Sequence, residues 1–302
     1  MQITTVDTPT LSIGCIDSGP QNGYPLLLLH GWPDDAQTWN ALLPSLHRAG
    51  FRTFAPFLRG FGPTQFKDIG IFRCGQLTAL AQDILDLADA LNLNRFALVG
   101  HDWSARSAYI ISALAPERIS ACVALSVGWG TNDSNQVLSL KQTQNYWYHW
   151  LMATERGEKL IREDRYRFTH YLWSIWSPNW KFSQEEFSAT ASSFENTDWT
   201  EVTLHSYRVR WGFAPRDSRY ASLEAHIAAN AIIHVPTLVL HGGGDSCNDP
   251  ATSENKENFF AGFYYRSVLN GLGHFPQREN PEMVLAELLP FLDTYTYISR
   301  TP

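Results

Sequence analysis

No stretch of this 302-residue sequence approaches the roughly 18 consecutive apolar residues of a membrane span, so no transmembrane helix is expected. The first residues, MQITTVDTPTLSIGC, lack a basic region followed by an apolar stretch, so no secretion signal is expected either. Cysteine is scarce: Cys15, Cys74, Cys122 and Cys247 are scattered without CxxC spacing. That argues against a disulfide framework and a cysteine zinc site. Basic charge is in deficit, with 23 Lys and Arg against 30 Asp and Glu and a net charge of -7. Nucleic acid is therefore not an expected partner. The expectation is a soluble cytoplasmic protein acting on a small molecule, neutral or weakly charged unless a local cationic pocket is present. A homodimer is left open. There is no internal repeat and no low-complexity tract.

What is present is a core. Apolar residues make up 44% and charged residues 18%, enough apolar surface for a large buried interior. Leu26–Leu29 is an apolar run closed by His-Gly-Trp-Pro, the mark of a strand buried on both faces. A helix is expected over Trp39–Ala49, then a strand in FRTFAPFLRGFG, then an amphipathic helix over Leu77–Leu91. Phe96–Val99 reads as a strand, Ala105–Leu114 as a helix stopped by Pro116, and Ala121–Val127 as a strand. Strand and helix alternating in this way predict a doubly wound, mostly parallel sheet. From about Asn132 to Ala228 the strand pattern disappears, and a helical stretch holds seven of the eleven tryptophans. It resumes at Thr237–Leu240 and Tyr264–Leu269 before a closing helix, Pro281–Thr294. The expected organisation is an α/β core of residues 1–131 and 229–302, interrupted by a helical cap of residues 132–228.

The strand Phe96–Val99 runs into Gly100-His101-Asp102-Trp103-Ser104 and then a helix. Small residues flank a central nucleophile where the strand-to-helix turn is too tight for side chains. Ser104 in place of a final glycine is a small departure. On this motif the chain resembles the α/β-hydrolase superfamily, and most closely its epoxide hydrolase and haloalkane dehalogenase branch, in which the nucleophile is an aspartate. Alone, Asp102 reads more readily as a helix N-cap. Three further matches turn the balance. His274, in Gly271-Leu-Gly-His-Phe-Pro, lies between the last strand and the last helix, where the superfamily keeps its base. Asp245, in His241-Gly-Gly-Gly-Asp, follows the preceding strand and completes the order nucleophile, acid, histidine. Asp249 and Asp133 are alternative acids. His30-Gly31-Trp32-Pro33 is similar to the branch's His-Gly-x-Pro, which implies an oxyanion hole from the backbone N–H groups of Trp32 and Trp103.

A carboxylate nucleophile attacks sp³ carbon and leaves an alkyl ester, which a histidine-activated water then hydrolyses. An opening epoxide needs a proton donor, whereas a departing halide does not. Epoxide hydrolases of the branch carry two cap tyrosines for this purpose. Trp147-Tyr148 and Tyr207-Arg208 match their contexts, with Tyr146 as a substitute for Tyr148. The resemblance therefore implies an epoxide hydrolase with Asp102, His274, Asp245, Tyr148 and Tyr207 as catalytic residues, needing neither metal nor cofactor. The alternative is carbon–halogen hydrolysis of the haloalkane or fluoroacetate type. His149, Trp150, Tyr207 and Arg106 match parts of the latter, but Trp103 stands where its first carboxylate-binding arginine would be. Trp32, Trp103, Tyr146, His149, Trp150 and Arg106 are the expected substrate-binding residues. A cofactor-independent oxygenase or a small-molecule receptor is the remote alternative. Arg59, in Leu58-Arg-Gly-Phe-Gly, reads as a loop anchor.

Overall fold

The computed structural model describes residues 2–130, 137–229 and 231–296. Its nine strands form one sheet: β1 (Ile3–Asp7), β2 (Leu11–Ser18), β3 (Tyr24–Leu29), β4 (Phe51–Pro56), β5 (Gln65–Phe66), β6 (Phe96–His101), β7 (Ile119–Leu125), β8 (Thr237–Gly242) and β9 (Tyr264–Leu269). The order is β1-β2-β4-β3-β6-β7-β8-β9, with β5 on β2. From β4 to β9 every pairing is parallel; β1, β2 and β5 add antiparallel pairings. Strands β6, β7 and β8 are buried at every residue, which is why they are continuous apolar runs and not alternating ones.

Helices α1 (Leu43–Arg48), α2 (Leu77–Ala90), α3 (Trp103–Leu114), α10 (Pro276–Glu279) and α11 (Pro281–Thr296) belong to the core. Between β7 and β8 lie α4 (Leu140–Asn145), α5 (Trp147–Met152), α6 (Glu155–Trp176), α7 (Gln184–Ala191), α8 (Trp199–Arg210) and α9 (Ala221–Ala229). No helix among the described residues is long and apolar enough to cross a membrane. One expectation fails. The helix predicted over Trp39–Ala49 is a short 3-10 turn, Ala36–Trp39, followed by α1. Pro44 cannot donate to a preceding turn, so it is confined to the start of a helix and forces the break.

The chain leaves β3 for β4 on one side and returns through α2 to β6 on the other, so β3 and β6 are the topological switch point. In a parallel sheet the crevice beyond the carboxyl ends of such strands is where ligands bind. Trp32 follows β3 there and Asp102 follows β6, while Asp245 and His274 follow β8 and β9. Helices α4–α8 are tied down over this crevice. Trp32 Nε1 donates to Thr203 Oγ1 at 3.0 Å, Trp173 Nε1 to the Pro33 carbonyl at 2.7 Å, and Ser193 Oγ to Asp35 at 2.6 Å. Below it, Arg59 pairs with Asp83 at 2.6 Å and Arg278 with Asp34 at 2.6 Å.

Two histidines next to the crevice make the fold acid-sensitive. His30 Nε2 accepts from the Leu58 N–H at 3.0 Å, so its Nδ1 carries the proton and donates to the Gly31 carbonyl at 2.9 Å. Burial brings His30, and likewise His101, from the usual 6.5 down to about 4. Between pH 6.5 and 4 the unfolded chain binds protons that the folded chain refuses, so stability is full above 6.5 and falls on acidification through that window. Each histidine contributes on the order of 3 kcal/mol to this loss. Asp35, raised to about 6 mainly by burial, opposes it in part. Urea midpoints measured at pH 7 and pH 4.5 will therefore differ, and His30→Gln is expected to narrow the difference. An unchanged pH dependence in that variant would remove His30 from the account.

Candidate active site

The site is built on the turn after β6. Asp102 has φ 51° and ψ -111°, a conformation that side chains rarely adopt and that cores retain only where the surroundings enforce it. A Cβ on Gly100 would lie 2.3 Å from the Ser104 carbonyl oxygen, and one on Gly31 would lie 2.5 Å from the Asp102 Cβ. Glycine at these two positions is what lets the turn close beneath the neighbouring loop. Ser104 is fully buried, and its hydroxyl has no partner among the described residues. Helix α3 starts directly at Trp103, two residues earlier than the sequence suggests.

The Trp32 N–H donates to Asp102 Oδ1 at 3.1 Å. The Trp103 N–H opens α3, where first-turn donors have no acceptor within the helix. Asp102 Oδ2 faces His274 Nε2 at 3.7 Å, and His274 Nδ1 meets Asp245 Oδ2 at 2.9 Å. Asp245 Oδ1 accepts from the N–H groups of Cys247 (2.7 Å) and Asn248 (3.0 Å), which fixes the carboxylate's orientation. The histidine loop is held from several sides. The His274 N–H donates to Ser177 Oγ at 2.8 Å, its carbonyl accepts from Ser126 and His101, and Glu279 accepts from the Gly273 and Phe275 N–H groups. All three side chains are buried, with Asp102 5%, Asp245 4% and His274 0% exposed.

Burial opposes charge on each of the three, and their mutual attraction overrides it. His274 is held well above the usual imidazole range by Asp245 and Asp102. Both carboxyls sit below theirs because His274 faces them. This mutual attraction favours a proton on His274 and charge on both carboxyls in the resting arrangement. The alternative acid Asp249 caps the turn at Pro250 by accepting from the Ala251 N–H at 2.9 Å. Asp133 lies outside the described residues.

Aromatic rings close over Asp102. Trp32 stacks on Tyr148 at 5.9 Å and meets Tyr207 at 5.0 Å, while Tyr148 and Tyr207 are 5.3 Å apart. Tyr207 Oη accepts from Trp103 Nε1 at 3.1 Å, which leaves its own proton to donate. Tyr148 Oη lies 3.4 Å from Cys247 Sγ. Burial is the main cause that pushes both phenols well above 10, with the Asp102 charge adding to it, so both stay protonated. Surface depressions of about 350 and 370 Å³ lie elsewhere, lined by residues such as Glu254 and Arg266 or Pro63 and Asn196.

Other predicted residues are placed differently. Tyr146 donates to Asn248 Oδ1 at 2.8 Å and accepts from Arg106 at 3.4 Å, so its proton is committed and it is not a free substitute for Tyr148. Trp150 packs on Trp211 at 4.7 Å, and its N–H binds the Thr143 carbonyl. His149 stays close, 4.3 Å from the Tyr148 ring and 4.5 Å from Tyr207. Sequence reasoning missed Arg210, whose guanidinium lies over both Tyr207 and Trp103. Its spacing of three from Tyr207 on one helix was the available signal. Asp102, Cys247 and His274 each offer a ligand atom within 4.8 Å of the others, a spacing a divalent cation could bridge.

A family model described as alpha/beta hydrolase fold matches residues 24–281. The chain is 26% identical to epoxide hydrolase A of Mycobacterium tuberculosis, over 95% of this chain and 96% of that protein. It is 24% identical to an epoxide hydrolase of Caballeronia sordidicola, over 90% of this chain and 88% of the other. Among solved structures it is similar to a candidate epoxide hydrolase from Klebsiella pneumoniae, with TM-score 0.90 and 34% identity, covering 96% and 97% of the two chains.

Proposed function

Because the chain belongs to the alpha/beta hydrolase fold family, we propose that it is an epoxide hydrolase that works through an ester on Asp102. The observation that carries this is the pair of buried, protonated tyrosines beside a carboxylate on the elbow. Its relatives in Mycobacterium tuberculosis and Caballeronia sordidicola, both epoxide hydrolases, support the same reading.

In the proposed cycle, Asp102 attacks one epoxide carbon and the C–O bond breaks toward oxygen. Tyr207, assisted by Tyr148, protonates that oxygen, which gives a hydroxyalkyl ester. Alkylation removes the negative charge of Asp102, so His274 loses one of the two carboxylates that keep it protonated. It releases its proton, which restores the tyrosine, and becomes a base held in place by Asp245. It then takes a proton from water attacking the ester carbonyl. The Trp32 and Trp103 N–H groups hold the oxyanion, the diol leaves with the proton from His274, and the Asp102 carboxylic acid so formed passes its own proton to His274, which restores the starting pair. The chemistry calls on no metal or organic cofactor.

The test is a substrate panel read with tyrosine variants. Tyr148→Phe with Tyr207→Phe is expected to slow epoxide opening by about 10²–10⁴-fold. Tyr207→Phe alone should cost more than Tyr148→Phe, since the Trp103 indole donates to Tyr207 and leaves its proton free, whereas Tyr148 shares its contact with the Cys247 thiol, in which either group can donate. A haloalkane requires no proton on its leaving group. Halide release from wild type, unaffected by both substitutions, would replace the epoxide reading with the carbon–halogen one.

A further inference from the structure

Arg59 and Arg278 are each held by a carboxylate, Asp83 and Asp34. Arg210, the last residue of α8, has none among the described residues. Its guanidinium lies 4.9 Å from the Tyr207 ring centre and 5.4 Å from that of Trp103, and Nη2 donates to Ser206 Oγ at 3.2 Å. Nε is buried without an acceptor. A half-buried cation with no counterion is unfavourable even with two ring faces beneath it, and guanidinium does not escape the penalty by losing its proton.

A second donor lies on the same ring. His149 Nδ1 accepts from Trp211 Nε1 at 3.0 Å, and indole nitrogen can only donate, so the imidazole proton is on Nε2. That N–H is buried, on a residue 1% exposed, and has no acceptor. Burial first, then Arg210 and Arg106, hold His149 well below the usual imidazole range, so it is neutral and a fixed donor. His149 and Arg210 thus both flank Tyr207, 4.5 and 4.9 Å from its ring.

We propose that Arg210 and His149 form an anion subsite that takes a carboxylate carried by the substrate, which makes the substrate an epoxy acid. This rests on the epoxide reading for the reactive end and adds the charge at the other. A planar guanidinium edge with Nε unspent matches the two oxygens of a carboxylate better than a spherical halide. An anion brought toward Asp102 is repelled by it, and Arg210 offsets that repulsion at the point of closest approach. Against a chain with a net charge of -7, the cation has to be local to serve this purpose.

The experiment compares glycidate with glycidamide, its neutral counterpart. Wild type is expected to prefer the acid by about 10- to 100-fold in kcat/KM. In Arg210→Gln that ratio should collapse toward one, and Arg210→Lys should restore part of it. Binding is read separately. Since Arg210 lies over Trp103, propionate should change tryptophan fluorescence, with at least a tenfold weaker Kd in Arg210→Gln. A melting curve checks that each variant is folded. Equal use of acid and amide by wild type would overturn the proposal. So would propionate binding indifferent to Arg210, or chloride competing as well as propionate. Propionate binding intact with neither epoxide turned over would instead overturn the epoxide reading and leave the subsite standing.

Discussion

Asp102→Asn is expected to lower turnover of any substrate by at least about 10³-fold while the protein stays folded. The amide is nearly isosteric. It keeps an oxygen to accept the Trp32 N–H, now bonded at 3.1 Å, and tolerates the positive φ of 51° about as well as aspartate. Stability should therefore change by no more than about 1 kcal/mol. What is lost is an anionic oxygen able to attack carbon. A structural N-cap reading predicts the reverse, a change in stability with activity retained. Asp102 makes no side-chain cap bond to α3, which already separates the two readings. The variant also removes one of the two carboxylates facing His274, so the imidazole pKa, followed by NMR, should fall relative to wild type. Retained activity in a folded Asn variant would end the covalent mechanism.

The sheet was legible because both of its faces are covered. Strands such as Phe96–His101 and Thr237–Gly242 show as apolar runs with no competing periodicity, and the helices between them carry a 3.6-residue pattern. Where sequence and structure part, a local effect prevails. Pro44 starts α1 late, and Asp102 feeds α3 with no intervening residues. Asp102, Asp245 and His274 could be read because each follows a strand, and strand ends are fixed by the sheet. The cap could not be read in the same way. Its many aromatics all look alike in sequence, and only packing distinguishes Tyr148, on Trp32, from Tyr146, whose proton goes to Asn248, or Trp150, whose N–H goes to Thr143. Arg210 was missed for a related reason, since its spacing from Tyr207 is a weak signal by itself. A lone arginine in a helix reads as surface charge until its missing partner is seen.

His274→Gln is expected to separate the two halves of the reaction. Attack by Asp102 on an epoxide needs a proton donor, which is Tyr207, and an ionised carboxylate, which in the variant loses the His274 charge but keeps the Trp32 N–H and the Arg210 cation, so attack is slowed and not abolished. Hydrolysis of the ester needs a base, and a glutamine at this position cannot remove a proton from water. The ester should therefore form in a single burst and persist, with steady turnover down by about 10³-fold or more. Intact-protein mass spectrometry reads the result. An epoxide adds its full mass, since ring opening loses no atom, whereas a haloalkane adds its mass less the halide, so the increment identifies the bond that was broken. The charge arrangement adds a second expectation for wild type. Once Asp102 is esterified, His274 keeps only Asp245, at 2.9 Å, to hold its proton. Its pKa then falls from the resting value and governs hydrolysis alone. Lowering the pH should slow hydrolysis before it slows alkylation, because the Asp102 carboxyl is held well below its usual range and stays ionised. Ester should thus accumulate in wild type as the medium is acidified and vanish as it is made alkaline. A folded, inactive His274→Gln protein carrying no added mass after exposure to a reactive epoxide would show that Asp102 is not alkylated.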